Sequence, residues 1–199
     1  MPLHYLALGD SYTIGEAVPP ASRWPAQLAR RLRAHGVAID DPRIVAVTGW
    51  STDELAVGMD AAALVPPYDL VTLLIGVNNQ YRGRGAGEYR GEFARLLRRA
   101  VGLAGGRASR VLVVSIPDWG VTRFAREQGR DAASIAHALD VYNAIARDEA
   151  GRAGARWVDI TPISRHHPGL VAEDGLHPSA EQYALWTAAI LPAAAAALK

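Results

Sequence analysis

The sequence contains no cysteine. That excludes disulfides, thiol catalysis and thiolate metal sites, and it leaves the redox compartment open. Lysine is almost absent: Lys199 is the only one among 21 basic residues, and arginine supplies the rest. In a chain this rich in Ala and Gly the skew points to coding bias, so no arginine stands out by type alone. There is no excess of either sign of charge. A formal net charge of +1 marks neither a nucleic-acid nor a strongly acidic partner. There is no long hydrophobic run. The longest, "AAILPAAAAAL" over 188–198, is too short to span a bilayer and carries Pro192. The opening "MPLHYLALGDS" lacks a basic segment, a long apolar stretch and a cleavage site, so no signal peptide is visible and a cytoplasmic protein is expected. What is present is ordinary for a globular protein: 199 residues, 50% hydrophobic and 21% charged, enough for one domain with a sizeable core.

Apolar runs alternate with helical patterns along the whole chain. "LHYLAL" (3–8), "RIVAVT" (43–48), "DLVTLLI" (69–75) and "RVLVVSI" (110–116) are short, rich in β-branched residues and bounded by Gly, Pro or Asp. They do not alternate strictly, as befits strands covered on both faces. "ARWVDI" around Trp157 is a weaker fifth. Between them, Trp24, Leu28 and Leu32 share a helical face that ends at His35-Gly36. Tyr89, Phe93, Leu96, Leu97 and Ala100 repeat at helical spacing before Gly105-Gly106, and Ile135, Leu139, Tyr142 and Ile145 before Gly151. "SAEQYALWTAAIL" opens on Ser179 with Gln182 three residues later, a capping-box spacing. Strand–helix alternation predicts a parallel sheet of about five strands between helical layers, in a single domain over residues 1–199.

In such sheets ligands bind beyond the carboxyl ends of the strands. That places interest on the loops at 9–15, 49–53, 76–81 and 117–119. Ser11 lies just past the first strand, where its hydroxyl faces the crevice. A serine needs a base to become a nucleophile. "EDGLHPS" offers Asp174 and His177, three apart. A carboxylate at that distance reaches Nδ1 in a tight turn, which leaves Nε2 free to accept the serine proton. An oxyanion needs donors: the N–H groups of Ser11 and Gly49, and the side-chain amide of Asn78. Each residue alone also reads as turn chemistry or a cap. Together they supply a nucleophile, a base, an orienter and oxyanion donors, which scattered turn residues need not do.

"GDSYTIG", "TGWSTDEL", "IGVNNQ" and "DGLHPS", in this order, resemble the blocks of the SGNH/GDSL hydrolase family, and they span nearly the whole chain. The resemblance implies a flavodoxin-like, three-layer α/β/α fold and serine-dependent hydrolysis of carboxylic esters without a metal or cofactor. It carries the family's Ser, Gly, Asn and His onto Ser11, Gly49, Asn78 and His177, with Asp174 completing the triad. Two positions depart from the usual pattern: Tyr12 stands where Leu is commonest, and Asn79 where Asp is usual. Asp10 reads as a structural brace for the loop. Trp50 and Trp119 are candidate pocket residues, each equally plausible as packing. Arg82, Arg84, Arg123, Arg126 and Arg130 flank the candidate loops and suit an anionic substrate or a solvated surface.

Other readings stay open at this level. The same machinery would serve a small-molecule ester with a short acyl group, an O-acetylated carbohydrate, a lysophospholipid or a thioester. A non-catalytic phosphate or nucleotide binder would use the first loop but leaves Asp174 and His177 without a task. His166, His167, Asp174 and His177 could mark a metal hydrolase, although their spacing fits no defensible ligand pattern. The oligomeric state is not encoded in any motif.

Overall fold

The five apolar runs form one parallel sheet. A computed structural model describes all residues, 1–199. The strands are β1 (Tyr5–Gly9), β2 (Arg43–Ala46), β3 (Leu70–Leu74), β4 (Val111–Val114) and β5 (Arg156–Val158), in the order β2-β1-β3-β4-β5. In the three central strands every residue is buried, whereas β2 and β5 at the edges are partly exposed. Continuous apolar runs have this meaning: both faces are covered. The ladders run Ala7 beside Ile44 and Thr72, and Leu73 beside Val113. The one polar pair inside the sheet, Tyr5 and Thr72, joins its hydroxyls at 3.1 Å.

The ladders stop short of the apolar runs. Ile75 and Ile116 remain buried but leave the sheet, because side chains take over their backbone groups. The Tyr89 hydroxyl donates to the Ile75 carbonyl at 3.1 Å. The Asn143 amide accepts from the Ile116 N–H at 2.8 Å and donates to its carbonyl at 3.0 Å. The chain thus turns toward the crevice without orphaning its polar groups.

Nine α-helices accompany the strands, seven between them and two after β5: α1 (Ser11–Ile14), α2 (Trp24–Ala34), α3 (Thr52–Ala61), α4 (Val77–Tyr81), α5 (Ala86–Leu103), α6 (Arg123–Glu127), α7 (Ala132–Ala153), α8 (Thr161–His166) and α9 (Ala180–Ala197). α2 and α9 pack together on one face, centred on the buried Trp24 and Trp186; α3, α5 and α7 cover the other. α7 runs past Gly151 and ends at Gly154, where φ of +75° suits glycine. Arg152 bridges back to Asp148 and Glu149 and sustains that last turn. The Ser179 spacing forms only half a capping box. Its hydroxyl accepts from the Gln182 N–H, but the Gln182 amide donates to the Leu170 carbonyl at 2.8 Å and ties α9 to the preceding loop. Pro192 sits inside α9 without ending it, since buried Ile190, Ala194 and Ala197 hold both sides of it to the core. No helix is long and apolar enough to cross a membrane.

The strand order carries the functional consequence. β1 and β3 are neighbours whose connections leave toward opposite edges of the sheet, which opens a crevice beyond their carboxyl ends.

Candidate active site

Ser11 enters this crevice on the shortest of helices. β1 ends at Gly9, and the buried Asp10 caps α1 by accepting the Tyr12 N–H at 3.0 Å. Ser11 is therefore the first helical residue, and its own N–H has no intrahelical acceptor. The second Asp10 oxygen has no partner. Burial pushes this carboxyl up to about 7, against the pull of the Tyr12 hydrogen bond. The brace expected of Asp10 is thus real, and it is electrostatically costly.

Asp174 and His177 meet in a tight turn before α9. Asp174 Oδ2 and His177 Nδ1 are 2.6 Å apart. The other carboxylate oxygen accepts the N–H groups of Leu176 and His177 at 2.9 and 3.0 Å. Partial burial raises the Asp174 pKa, but the imidazole and these two N–H groups outweigh it and hold the carboxyl below its ordinary range. Gly175, at φ +72°, makes the turn possible, and a Cβ there would strike the Arg123 guanidinium. Arg123 in turn donates to the Glu173 carbonyl at 2.6 Å. The Tyr12 ring meets the imidazole edge-on at 6.0 Å, so the uncommon tyrosine of the first block packs beside His177.

Ser11, Gly49, Asn78 and His177 line a single cavity of about 180 Å3. Ser11 and His177 face the same space without a direct hydrogen bond; in an unliganded serine–histidine pair this contact commonly tightens only with substrate. Gly49 has φ +90°, and its N–H binds no group of the protein. The loop that carries it is clamped from the β3 side. Asn78 donates to the Trp50 carbonyl at 2.9 Å, and Arg82 donates to the Gly49 carbonyl at 2.7 Å. Arg82 also reaches Ser51 and Glu54. One N–H of the Asn78 amide remains for an oxyanion.

The remaining walls are Tyr12, Thr48, Val77, Tyr81, Trp119, Phe124 and Leu176. Trp119 therefore lines the cavity, with its indole N–H held by Gln80 at 2.8 Å. Trp50 does not: the backbone reversal at Gly49 carries it away, and its ring packs against Gly58 on α3. Asn79 is fully buried, accepts the Thr52 N–H and donates to Thr52 and Glu92. Glu92 thus places a carboxylate beside the neutral amide. His166 and His167 close α8, and no three His, Asp or Glu side chains converge as a metal cage would require. Tyr81, Phe124 and Leu176 carry no motif, and of these only Leu176, between Asp174 and His177, lies inside a motif block. Arg82 is one of five arginines flanking the loops, and only the fold singles it out as the one that holds the Gly49 carbonyl.

A model of the GDSL-like lipase/acylhydrolase family matches residues 7–185. The chain belongs to that family. It is accordingly a carboxylic ester hydrolase, and its fold agrees with those of solved members. A lipase/acylhydrolase from Enterococcus faecalis superposes with a TM-score of 0.76 at 20% identity, covering 99% of this chain and 97% of that one. An acetylxylan esterase from Geobacillus stearothermophilus gives 0.73 at 18% identity, with 98% and 96% covered. A psychrotrophic esterase from Pseudoalteromonas sp., inhibited by monoethylphosphonate, gives 0.74 at 14% identity, with 96% and 95% covered. No curated protein sequence matches the chain.

Proposed function

We propose that this acylhydrolase cleaves small esters through an acyl-enzyme on Ser11. The observation that carries the reading is the 2.6 Å Asp174–His177 contact beside a cavity that Ser11, Gly49 and Asn78 share with the imidazole. Asp174 fixes the proton on Nδ1 and stabilises the imidazolium. Nε2 takes the Ser11 proton as Oγ attacks the carbonyl carbon. The N–H groups of Ser11 and Gly49 and the Asn78 amide receive the developing oxyanion. The tetrahedral intermediate collapses, Nε2–H protonates the departing alkoxide, and Ser11 stays acylated. Water, deprotonated by His177, then releases the acid and restores the serine. No cofactor or metal enters these steps.

The cavity volume favours a short acyl group. At about 180 Å3 it falls below the range of roughly 300–1,000 Å3 typical of drug-sized ligands. A phosphate-binding reading is weaker, because the carboxyl of Asp10 occupies the start of α1 and the Asp174–His177 pair would be idle.

Release of p-nitrophenol from acetate, butyrate and octanoate esters tests the proposal. Wild type should prefer acetate or butyrate to octanoate. Ser11→Ala and His177→Ala should each lose on the order of 10⁶ in kcat. Full activity in Ser11→Ala would place the chemistry elsewhere.

A further inference from the structure

The cavity walls hold no carboxylate, and His177 is their only group able to carry positive charge. Immediately behind one wall lies a cation of unusual disposition. The guanidinium carbon of Arg130 is 5.2 Å from the ring centre of Tyr81 and 5.5 Å from that of Trp119. These two rings meet edge-on at 5.4 Å and both line the cavity, and Tyr81 is half exposed at its mouth. Arg130 also lines the neighbouring groove, with Gln80, Arg84, Asp131 and Ser134.

The other arginines flanking the catalytic loops are committed. Arg82 binds Gly49, Ser51 and Glu54; Arg84 binds Asp53; Arg123 and Arg126 bind the carbonyls of Glu173 and Val121. The Arg130 side chain has no hydrogen bond and no ion pair. The nearest carboxylate in sequence, Asp131, spends Oδ1 on the N–H groups of Ala133 and Ser134 at the start of α7. A guanidinium held beside two rings by cation–π attraction, with no hydrogen-bond partner of its own, keeps its N–H donors free for a carboxylate, which it can bind two-pronged. Contact with the two rings also reduces the freedom lost when an anion binds.

We propose that Arg130 is a specificity residue for anionic esters, its guanidinium binding a carboxylate on the arm of the substrate that passes the Tyr81–Trp119 wall. The proposal rests on the ester-hydrolase reading of the neighbouring cavity. The carboxylate can belong to the acyl chain or to the leaving group, and two sets of substrates separate these sources. For the acyl side, p-nitrophenyl half-esters of succinate, glutarate and adipate are compared with the butyrate, valerate and hexanoate esters. For the leaving group, 4-acetoxybenzoate is compared with phenyl acetate.

In one set the anionic-to-neutral ratio of kcat/KM should exceed that of Arg130→Met by about fivefold, a size set by the exposure of the guanidinium. The excess should shrink as ionic strength rises. Arg130→Lys, which keeps the charge but loses the flat fork, should fall between. Arg147→Met, which removes an exposed guanidinium on α7 away from the cavity walls, should leave the ratio unchanged. An equal ratio in wild type and Arg130→Met in both sets overturns the proposal. Calorimetric titration of Ser11→Ala with monomethyl glutarate, with and without Arg130→Met, reads the same contact without turnover. Weaker binding in the double variant supports the assignment even if no ester is hydrolysed, in which case only the catalytic reading fails. Equal binding in the two refutes it.

Discussion

Replacing Arg82 with methionine would test whether the loop after β2 must be held for catalysis. Arg82 lies across two connections: it grows from the end of α4 and donates to the Gly49 carbonyl at 2.7 Å, Ser51 Oγ at 3.1 Å and Glu54 at 2.8 Å. Its side chain is 40% exposed and that of Glu54 42%, so the ion pair itself contributes little, about 0–1 kcal/mol. Loss of the three contacts should lower stability by about 1 kcal/mol, which in a domain of this size moves Tm by about 2–4 °C. Catalysis should suffer more. Removing one oxyanion donor outright costs about 10²–10³ in kcat. Arg82 holds the proposed Gly49 donor rather than being it, and the Asn78 bond to the Trp50 carbonyl remains, so the loss should be nearer tenfold. Because the oxyanion forms only in the transition state, kcat should fall while KM stays within about threefold. Arg82→Lys, able to keep one acceptor but not three, should lie between. The assay is steady-state hydrolysis of p-nitrophenyl acetate beside thermal unfolding of the same samples. A lowered Tm with unchanged kcat would refute the reasoning: the clamp would be structural, and the N–H of Gly49 would not need it.

Asp174→Asn should lower kcat by about 10³–10⁴, less than loss of His177, because an amide can still orient the ring but favours the wrong tautomer; single-turnover acylation measures this directly. Asn78→Ala should cost about 10²–10³ in kcat, with a small fall in stability from the freed Trp50 carbonyl, measured in the same ester assay. Asp10 gives a pH prediction. Its folded pKa is raised, so between about pH 4 and about pH 7 the native state keeps a proton that the unfolded chain has lost. Stability from this group is full below the unfolded pKa and is lost as pH rises to about 7, by about 4 kcal/mol in all. Asn at position 10 keeps the acceptor for the Tyr12 N–H and cannot ionise. Urea midpoints at pH 4.5 and pH 8 should therefore diverge more in wild type than in Asp10→Asn, and parallel behaviour would remove Asp10 as the source.

The chain by itself determined the sheet and the Asp174–His177 turn. Five short apolar runs without strict alternation require burial on both faces, and β1, β3 and β4 are buried at every residue. The Asp174–His177 turn was legible because its partners are three residues apart and local geometry joins them. The strand ends were less legible: Ile75 and Ile116 are as apolar as their neighbours, yet leave the ladder because Tyr89 and Asn143, distant in sequence, satisfy their backbone. Nor does any local pattern reveal which aromatic residue faces the cavity. Trp50 adjoins a proposed oxyanion donor and turns away, whereas Trp119, from another strand end, forms the wall. The same holds for the arginines. Composition makes them alike, and only the folded chain separates Arg82, spent on the Gly49 loop, from Arg130, held beside the rings of Tyr81 and Trp119 with its donors free. Contacts within a few residues are set by backbone geometry and can be read along the chain. Contacts between the ends of different strands depend on sheet order and loop path, and those exist only once the whole domain has packed.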